Sequence, residues 1–414
     1  MNILWISFLG SWTLPLLKTI KQTNHVGIII PIIDGKENLL QEKDGICFYS
    51  LALSSKECYT NMDIETYYKY KKIIDTFKPD IIHIHGTEKN LAQIQNFIKD
   101  IPIVISIQGL LIGCKPYTYN FVEKKIVHKF RSIKNLFGKG GLKLMYKVVQ
   151  RGTPYETDIL NNGKYFFGRT NWDRAYIMFH NPKAHYFTGE ELLRESFYDN
   201  AGTWKINQCT KHSIFMPSGF NPIKGMHLAI ETIYLLKQYY PNVLLVIPGI
   251  PIHILQMNRL SRLITGEEFI TYIQHKIHEY NIEDNIRFLP RLDAIEMAEE
   301  MKKANVFLSP SSIDNSPNAI GEAMLIGTPI VSTPVGGVTS FLEDESSTLF
   351  APAGDPYMMA YQIKRIFDDE NLAATLSNNA HQIALKRHNK ENTVKQYIDT
   401  YKKIISLRHQ STEK

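Results

Sequence analysis

Short, continuous apolar runs alternate with polar turns and amphipathic segments along the first half of the chain. These runs are NILWISF (2–8), VGIIIPII (26–33), DIIHIHG (80–86) and IPIVISIQG (101–109). Continuous Ile and Val runs of this length are typical of strands that are buried on both faces of a sheet. Strands that alternate with helices predict a parallel, doubly wound α/β sheet.

The same pattern starts again after about residue 205. Buried strands are predicted in HSIFMPSG, VLLVIPG, NIRFLPRL, NVFLSPS and TPIVSTPVGG, and a charged amphipathic helix is predicted from about residue 391. We therefore expect two Rossmann-like domains, residues 1–205 and 206–390, followed by a helix (391–414) that packs back on the first domain. Ligands of such sheets bind beyond the carboxyl ends of the strands, so the expected site is the cleft that the two domains face.

The composition agrees with two ordinary globular domains. The chain has 414 residues, more than one hydrophobic core usually supports, with 44% hydrophobic residues, 21% charged residues and a net charge of +6. Four scattered cysteines without a CxxC pair favour a reducing compartment over a disulfide framework or a zinc site. The apolar N-terminus lacks the basic start and cleavage site of a signal peptide, and no apolar run is long enough to span a bilayer. We expect a cytoplasmic protein.

The segment SPSSIDNSPNAIGEAMLIGTP (309–329) reads as a strand end, a polar loop with Asp314, and a helix that carries Glu322. Asn318 is expected to cap this helix, whose free N–H groups would favour a phosphate. Glu322 could accept hydrogen bonds from the vicinal hydroxyls of a ribose. A diphosphate with a sugar at either end would suit this arrangement. The residues alone are equally compatible with a capped turn at Asp314 and a helix-dipole contact at Glu322.

This segment resembles the signature of retaining glycosyltransferases of the GT-B type, family 4: an acidic residue, seven intervening positions and Glu-Ala. GEAMLIGTPIVSTPVGG (321–337) continues the family pattern closely. The resemblance implies two Rossmann-like domains that transfer a sugar from a nucleotide diphosphate donor with retention, without a cofactor or a metal. It also implies that Asp314 contacts the donor sugar and Glu322 the ribose. The family usually has glutamate, not aspartate, at the first position.

FMPSGFNPIKGMHLAIETI (215–233) is similar to a second segment of the family and places Lys224 at a turn before a helix. A lysine there can bind the diphosphate, and the glycine after it lets the backbone approach closely. The resemblance makes Lys224, Asp314 and Glu322 the expected catalytic residues. The family usually has an arginine five residues before the lysine, where this chain has Gly219; Arg169, Arg174 or Arg291 could replace it. The other implied donor-binding positions are Gly10, Ser11, Gly219, Arg291, Leu292, Ser316, Asn318 and Ala319.

Candidates for binding the acceptor lie in the first half of the chain. Gln108 stands where many relatives carry a histidine, and it can hydrogen-bond a sugar hydroxyl without changing charge. His85 shares a strand face with His83; both suit a core position, and His85 is the better candidate to line the cleft. Arg169 and Arg174 could contact the donor phosphate or the acceptor, or belong to a surface salt-bridge network.

Residues 121–151 are strongly basic and amphipathic. Their only acid is Glu123, against the basic residues Lys124, Lys125, Lys129, Arg131, Lys134, Lys139, Lys143, Lys147 and Arg151. Such a segment can lie on the anionic inner face of the cell membrane, which would fit a saccharide acceptor carried on a lipid diphosphate. A solvated charged face is the alternative, and no nucleic-acid-binding module is recognisable.

Two other functions remain open on this fold. A nucleotide-sugar epimerase or phosphorylase would use a related site, although no phosphorylase-like cofactor lysine is evident. A non-catalytic subunit that binds a sugar nucleotide would explain the departures at Gly219, Gln108 and Asp314.

Overall fold

The computed structural model describes residues 1–8, 10, 13–35, 39–130, 133, 141–250, 254, 257, 261, 264 and 268–412. The chain forms two compact units. Unit 1 comprises Met1–Gly113, Val148–Leu193 and His388–Lys414, and unit 2 comprises Cys114–Lys147 and Arg194–Arg387. Each unit is built around one sheet.

This division differs from the predicted boundary at residue 205. Residues 194–205 belong to unit 2, where buried Trp204 donates a hydrogen bond from Nε1 to the Ala304 carbonyl at 2.8 Å. Residues 114–147 also belong to unit 2, where the Asn120 side-chain amide donates to the Pro222 carbonyl at 2.6 Å. Tertiary contacts of this kind leave no periodic signal in the sequence.

In the described residues, the sheet of unit 1 has eight strands. They are β1 (Asn2–Ile6), β2 (His25–Ile33), β3 (Leu39–Lys43), β4 (Ile46–Leu53), β5 (Ile81–His85), β6 (Ile103–Ser106), β7 (Tyr165–Gly168) and β8 (His185–Thr188). Their order across the sheet is β3-β4-β2-β1-β5-β6-β7-β8, and only the β3–β4 pair is antiparallel among these neighbours.

The strands of unit 2 form a six-stranded parallel sheet. They are β9 (Ser213–Phe215), β10 (Leu244–Ile247), β11 (Ile286–Phe288), β12 (Val306–Ser309), β13 (Ile330–Ser332) and β14 (Leu349–Phe350), in the order β11-β10-β9-β12-β13-β14. Parallel strands need helical crossovers, and helices accordingly alternate with these strands.

The described residues also form α-helices, numbered here along the chain. They are α1 (Thr13–Ile20), α2 (Ser55–Tyr59), α3 (Ile64–Phe77), α4 (Leu111–Cys114), α5 (Lys124–Lys129), α6 (Gly141–Asn162), α7 (Asn171–His180), α8 (Glu195–Asp199), α9 (Met226–Lys237), α10 (Glu268–Glu279), α11 (Ala294–Lys303), α12 (Asn318–Ile326), α13 (Pro356–Asp368), α14 (Glu370–Arg387) and α15 (Lys390–Thr412). Short 3₁₀ turns occupy Asn90–Asn96, Lys115–Tyr117, Pro222–Lys224, Glu283–Asn285 and Val338–Ser340.

The C-terminal helix α15 contributes to the core of unit 1. Tyr397 stacks on Phe167 of β7 with ring centroids 4.6 Å apart, and the Tyr401 hydroxyl lies 2.6 Å from His83 Nδ1 of β5. His83 Nε2 lies 2.7 Å from the Ser106 hydroxyl, so both ring nitrogens have partners. Burial holds the pKa of His83 well below its usual value, which keeps this core histidine neutral.

Candidate functional site

The sheet of unit 2 reverses its strand order between β9 and β12. From β9 the chain continues outward to β10 and β11, and from β12 it continues to β13 and β14 on the other side. Ligands of open parallel sheets bind at such a reversal, beyond the carboxyl ends of the strands. A cavity of about 140 Å³ lies there, lined by the segments that follow β9 and β12, by α12 and by Arg194.

Lys224 and Asp314 meet in this cavity. Lys224 Nζ is 2.6 Å from Asp314 Oδ2, and the Ser311 hydroxyl donates to the same oxygen at 3.3 Å. The side chains are 36% and 14% exposed respectively, so a ligand in the cavity can reach both. The structure thus places these two predicted residues in one pocket.

A close backbone contact fixes the lysine turn against the aspartate loop. Gly225 has a φ of +81°, and a Cβ atom there would lie 2.1 Å from the Pro310 carbonyl oxygen. The Ser312 amide donates to the Ile223 carbonyl at 2.9 Å, which ties the same two segments together. Because only glycine fits this approach, Gly225 sets the spacing between Lys224 and Asp314.

Glu322 forms the second ion pair of the cavity. Arg194 donates from Nε to Oε1 at 2.6 Å and from Nη2 to Oε2 at 2.7 Å, a bidentate arrangement. The Glu322 side chain is only 4% exposed. Burial raises the pKa of Glu322 above its usual range, and the guanidinium of Arg194 opposes that rise.

Helix α12 begins differently from the prediction. Asn318 is its first residue, and the capping position is Pro317, which makes no side-chain cap hydrogen bond. Glu322 is the fifth residue of the helix, beyond the first turn. Its carboxylate is therefore held by Arg194, not by the amide groups at the start of the helix.

The other predicted donor-binding positions of unit 2 are more dispersed. Ala319 lines the cavity, whereas Ser316 accepts a hydrogen bond from Arg387 Nη2 at 2.9 Å. Arg291 is exposed and Leu292 half-buried after β11. A Cβ atom at Gly219 would lie 2.6 Å from Met226 Sδ, so a larger residue at this position requires the Met226 side chain to move.

Gly10 and Ser11 follow β1 in unit 1. The Gly10 amide donates to the Thr13 hydroxyl at 3.0 Å, which places it at the start of α1. Ser11 lies outside the described residues. Their predicted contact with the donor stays a prediction.

The structure gives the acceptor candidates of unit 1 different surroundings. His85 is 5% exposed and packs on Trp5 with ring centroids 4.2 Å apart; burial lowers its pKa to about 3. Arg169 Nη1 pairs with buried Glu191 at 3.0 Å, and its Nη2 donates to the Gln108 carbonyl at 3.4 Å. Arg169 is thus a buried cation paired with an acid, and His85 is buried beside Trp5; their contacts with the donor or acceptor stay predictions.

Arg174 and Gln108 stay the acceptor candidates of unit 1. Arg174 is exposed, and its guanidinium lies 4.7 Å from the centre of the Tyr186 ring. Gln108 is half-buried after β6, at the carboxyl end of that strand.

Arg194 is the site residue whose role the sequence did not reveal. It stands among several charged residues near the end of the first half, and 128 positions separate it from Glu322. The signal that could have found it is chemical: a buried carboxylate needs a cationic partner.

Two features are absent from the described residues. No cluster of three or more His, Cys, Asp or Glu side chains suited to a metal ion occurs among them. No helix in these same parts of the chain combines the length and the apolar character needed to cross a membrane.

Two glycosyltransferase family models match this chain. Residues 205–383 match the model described as "Glycosyl transferases group 1", and residues 3–138 match "Glycosyl transferase 4-like". A D-inositol 3-phosphate glycosyltransferase of Corynebacterium urealyticum is 26% identical over 185 residues, which are 45% of this chain and 41% of that relative. The matched part thus spans less than half the length of the first curated relatives.

Solved structures match over nearly the full chain. A sucrose-phosphate synthase from Thermosynechococcus elongatus has a TM-score of 0.68 at 17% identity, covering 98% of this chain and 99% of its own. The Anabaena protein HepE, crystallised with UDP-glucose, has a TM-score of 0.66 at 14% identity, covering 97% and 99%. These likenesses confirm the predicted fold of two parallel α/β domains.

Gly225→Ala tests whether the close contact between Gly225 and the Pro310 carbonyl sets the geometry of the cavity. The variant adds a strained left-handed residue, costing about 1–2 kcal/mol, and a clash with the Pro310 carbonyl. Gly249→Ala is the matched control, because Gly249 has a φ of +86° but nothing within 4 Å of its Cβ position. We expect urea denaturation to show a larger loss of unfolding free energy for Gly225→Ala. Equal losses of unfolding free energy in the two variants would contradict a clash between the added methyl group and the Pro310 carbonyl.

Proposed function

Because the chain belongs to the glycosyl transferases group 1, we propose that it transfers a sugar from a nucleotide diphosphate donor to an acceptor hydroxyl. The anomeric configuration is retained and no metal takes part. The bond between the anomeric carbon and the diphosphate breaks, and a bond from that carbon to the acceptor oxygen forms on the same face. The acceptor proton passes to the departing phosphate.

The observation that carries this proposal is the set of charges that line one cavity of unit 2. Lys224 supplies a cation for the diphosphate, and Asp314 beside it can accept hydrogen bonds from the donor sugar. Glu322 lines the same cavity and can accept from the ribose hydroxyls. A donor with a diphosphate between two sugars offers a partner to the cation and to each carboxylate.

Stabilisation of the leaving diphosphate would come from the protein's own groups. Lys224 offers a full positive charge, and α12 starts beside the cavity, where the dipole of the helix favours an anion. Charge and dipoles already in place stabilise negative charge as it develops in the transition state. The acceptor is a saccharide, which we assign to unit 1, where Gln108 and Arg174 are the candidate contacts.

A lipid-linked acceptor would require the protein to reach a membrane surface. In the described part of residues 121–147, Phe121, Ile133 and Leu144 are exposed, and Lys125, Lys129 and Lys143 lie along the same segment. Exposed apolar residues among lysines are the pattern of a segment that binds an anionic interface. Arg131, Lys134 and Lys139 lie outside the described residues.

The identity of the nucleotide-sugar donor is the first point to establish. HepE was crystallised with UDP-glucose, so UDP-sugars come first in a thermal-shift screen of nucleotide sugars. A ligand that binds only the folded protein raises its melting temperature. A donor that binds without any transfer or hydrolysis would favour the alternative of a non-catalytic sugar-nucleotide-binding subunit.

Lys224→Ala tests the catalytic assignment. Loss of a charge that stabilises the leaving group should lower kcat by about 10²–10³-fold, measured as release of nucleoside diphosphate from the donor found in the screen. Lys237→Ala, which removes another lysine of unit 2, should leave the rate unchanged. EDTA should not slow the wild-type protein. A fully active Lys224→Ala variant, or inhibition by EDTA that a divalent cation reverses, would contradict the proposal.

Membrane binding is tested by changing Lys125, Lys129, Lys143 and Lys147 together to glutamine. Each lysine near an anionic membrane contributes about 1 kcal/mol of binding free energy. The variant should therefore be released from phosphatidylserine liposomes in a sedimentation assay. The control changes four exposed lysines elsewhere in unit 2: Lys205, Lys211, Lys303 and Lys386. Equal liposome binding by the two quadruple variants would rule out docking through this segment.

A further inference from the structure

We propose that Arg194 is a positioning residue for the donor: it keeps Glu322 ionised and oriented so that the carboxylate receives the ribose hydroxyls. This inference rests on the proposed function, because it concerns how the same cavity recognises a nucleotide. It assigns a role to a side chain that lies outside both sequence segments resembling the family signature.

The geometry of the ion pair leaves the carboxylate free to bind a diol. Arg194 uses one lone pair on each carboxylate oxygen, through contacts of 2.6 and 2.7 Å. Each oxygen has a second lone pair. Two acceptors at fixed positions match the two neighbouring hydroxyls of a ribose. The planar guanidinium of Arg194 holds both carboxylate oxygens in one orientation, which the single ammonium group of a lysine cannot do.

Burial makes the charge of Glu322 dependent on Arg194. The carboxylate is 4% exposed, and burial alone drives its pKa upward. Without the guanidinium, an isolated buried carboxylate takes up a proton instead of staying charged. A protonated carboxyl group loses acceptor capacity and can no longer receive both hydroxyls equally well.

Arg194 stands immediately before α8, and its side chain lines the cavity. Its guanidinium lies 4.6 Å from the centre of the Phe197 ring, and the side chain is 21% exposed. A contact between Arg194 and the donor phosphates is the competing role, since Gly219 leaves the usual arginine position without a cation.

The test measures nucleotide binding by titration calorimetry between pH 6 and pH 9. The probe is whichever of UDP, GDP and ADP the wild-type protein binds most tightly, together with its 2′-deoxy form. Arg194→Gln, Arg194→Lys, Glu322→Gln and the double variant Arg194→Gln/Glu322→Gln are compared. Arg365→Gln is the matched control, because Arg365 makes a similar two-contact pair with Glu345 at 2.5 and 2.7 Å outside the cavity.

We expect Arg194→Gln to weaken binding about 10- to 100-fold near neutral pH, the usual worth of hydrogen bonds to a charged group. Affinity should recover as pH rises, because the raised pKa of Glu322 is then exceeded and the carboxylate ionises. Arg194→Lys should retain part of the affinity. Arg194→Gln should also lose discrimination against the 2′-deoxy nucleotide, and Arg365→Gln should behave as wild type.

The double variant separates the two roles of Arg194. If Arg194 acts through Glu322, the double variant binds about as weakly as Glu322→Gln, and its affinity no longer depends on pH. Additive losses, or a loss in Arg194→Gln that stays constant from pH 6 to pH 9, would overturn the inference in favour of a phosphate contact. Melting temperatures identify unfolded variants, and the lysine variant supplies the comparison if the glutamine variant does not fold. A wild-type protein that binds none of the three nucleotides would instead refute the proposed function.

Discussion

Charged side chains can share a small cavity only if each has a partner, and the two ion pairs of unit 2 meet this condition. Lys224 pairs with Asp314, and Arg194 pairs with Glu322. An unpaired ion at the buried position of Glu322 would carry a large desolvation cost, whereas Lys224 and Asp314 are partly exposed. The cavity is therefore electrostatically complete without a ligand, and a ligand must offer comparable partners to bind there.

The fold brings these four residues together from three separate segments. The reversal between β9 and β12 places two strand ends side by side, and the contact of Gly225 with Pro310 sets their distance. Arg194 arrives from the segment before α8. Lys224 and Asp314 are partly exposed, whereas Glu322 is deeply buried.

The parts of the structure that follow from local pattern were predictable. Continuous Ile and Val runs identified β1, β2, β5 and β6 because strands covered on both faces must be apolar throughout. The edge strand β3 was missed, since all five of its residues are exposed and it carries no such run. The acid–lysine set of the site followed from the resemblance, and the structure brings Lys224, Asp314 and Glu322 to one cavity.

Features that depend on tertiary contacts were not predictable. The Arg194–Glu322 pair joins residues 128 positions apart, and the burial of Arg169 depends on Glu191 in a neighbouring segment. Asn318 has the chemistry of a helix cap, but the chain turns one residue earlier, at Pro317. The sequence left His85 open between a core position and the cleft, and its packing against Trp5 shows that it is buried.

The account depends on where a nucleotide binds, and a crystal structure with a bound nucleoside diphosphate measures this most directly. We expect Lys224 Nζ within about 3 Å of a phosphate oxygen and both Glu322 oxygens within about 3 Å of the ribose hydroxyls. Arg194 should still hold Glu322 in that complex. A nucleotide bound outside this cavity, or bound there with its ribose turned away from Glu322, would contradict the account.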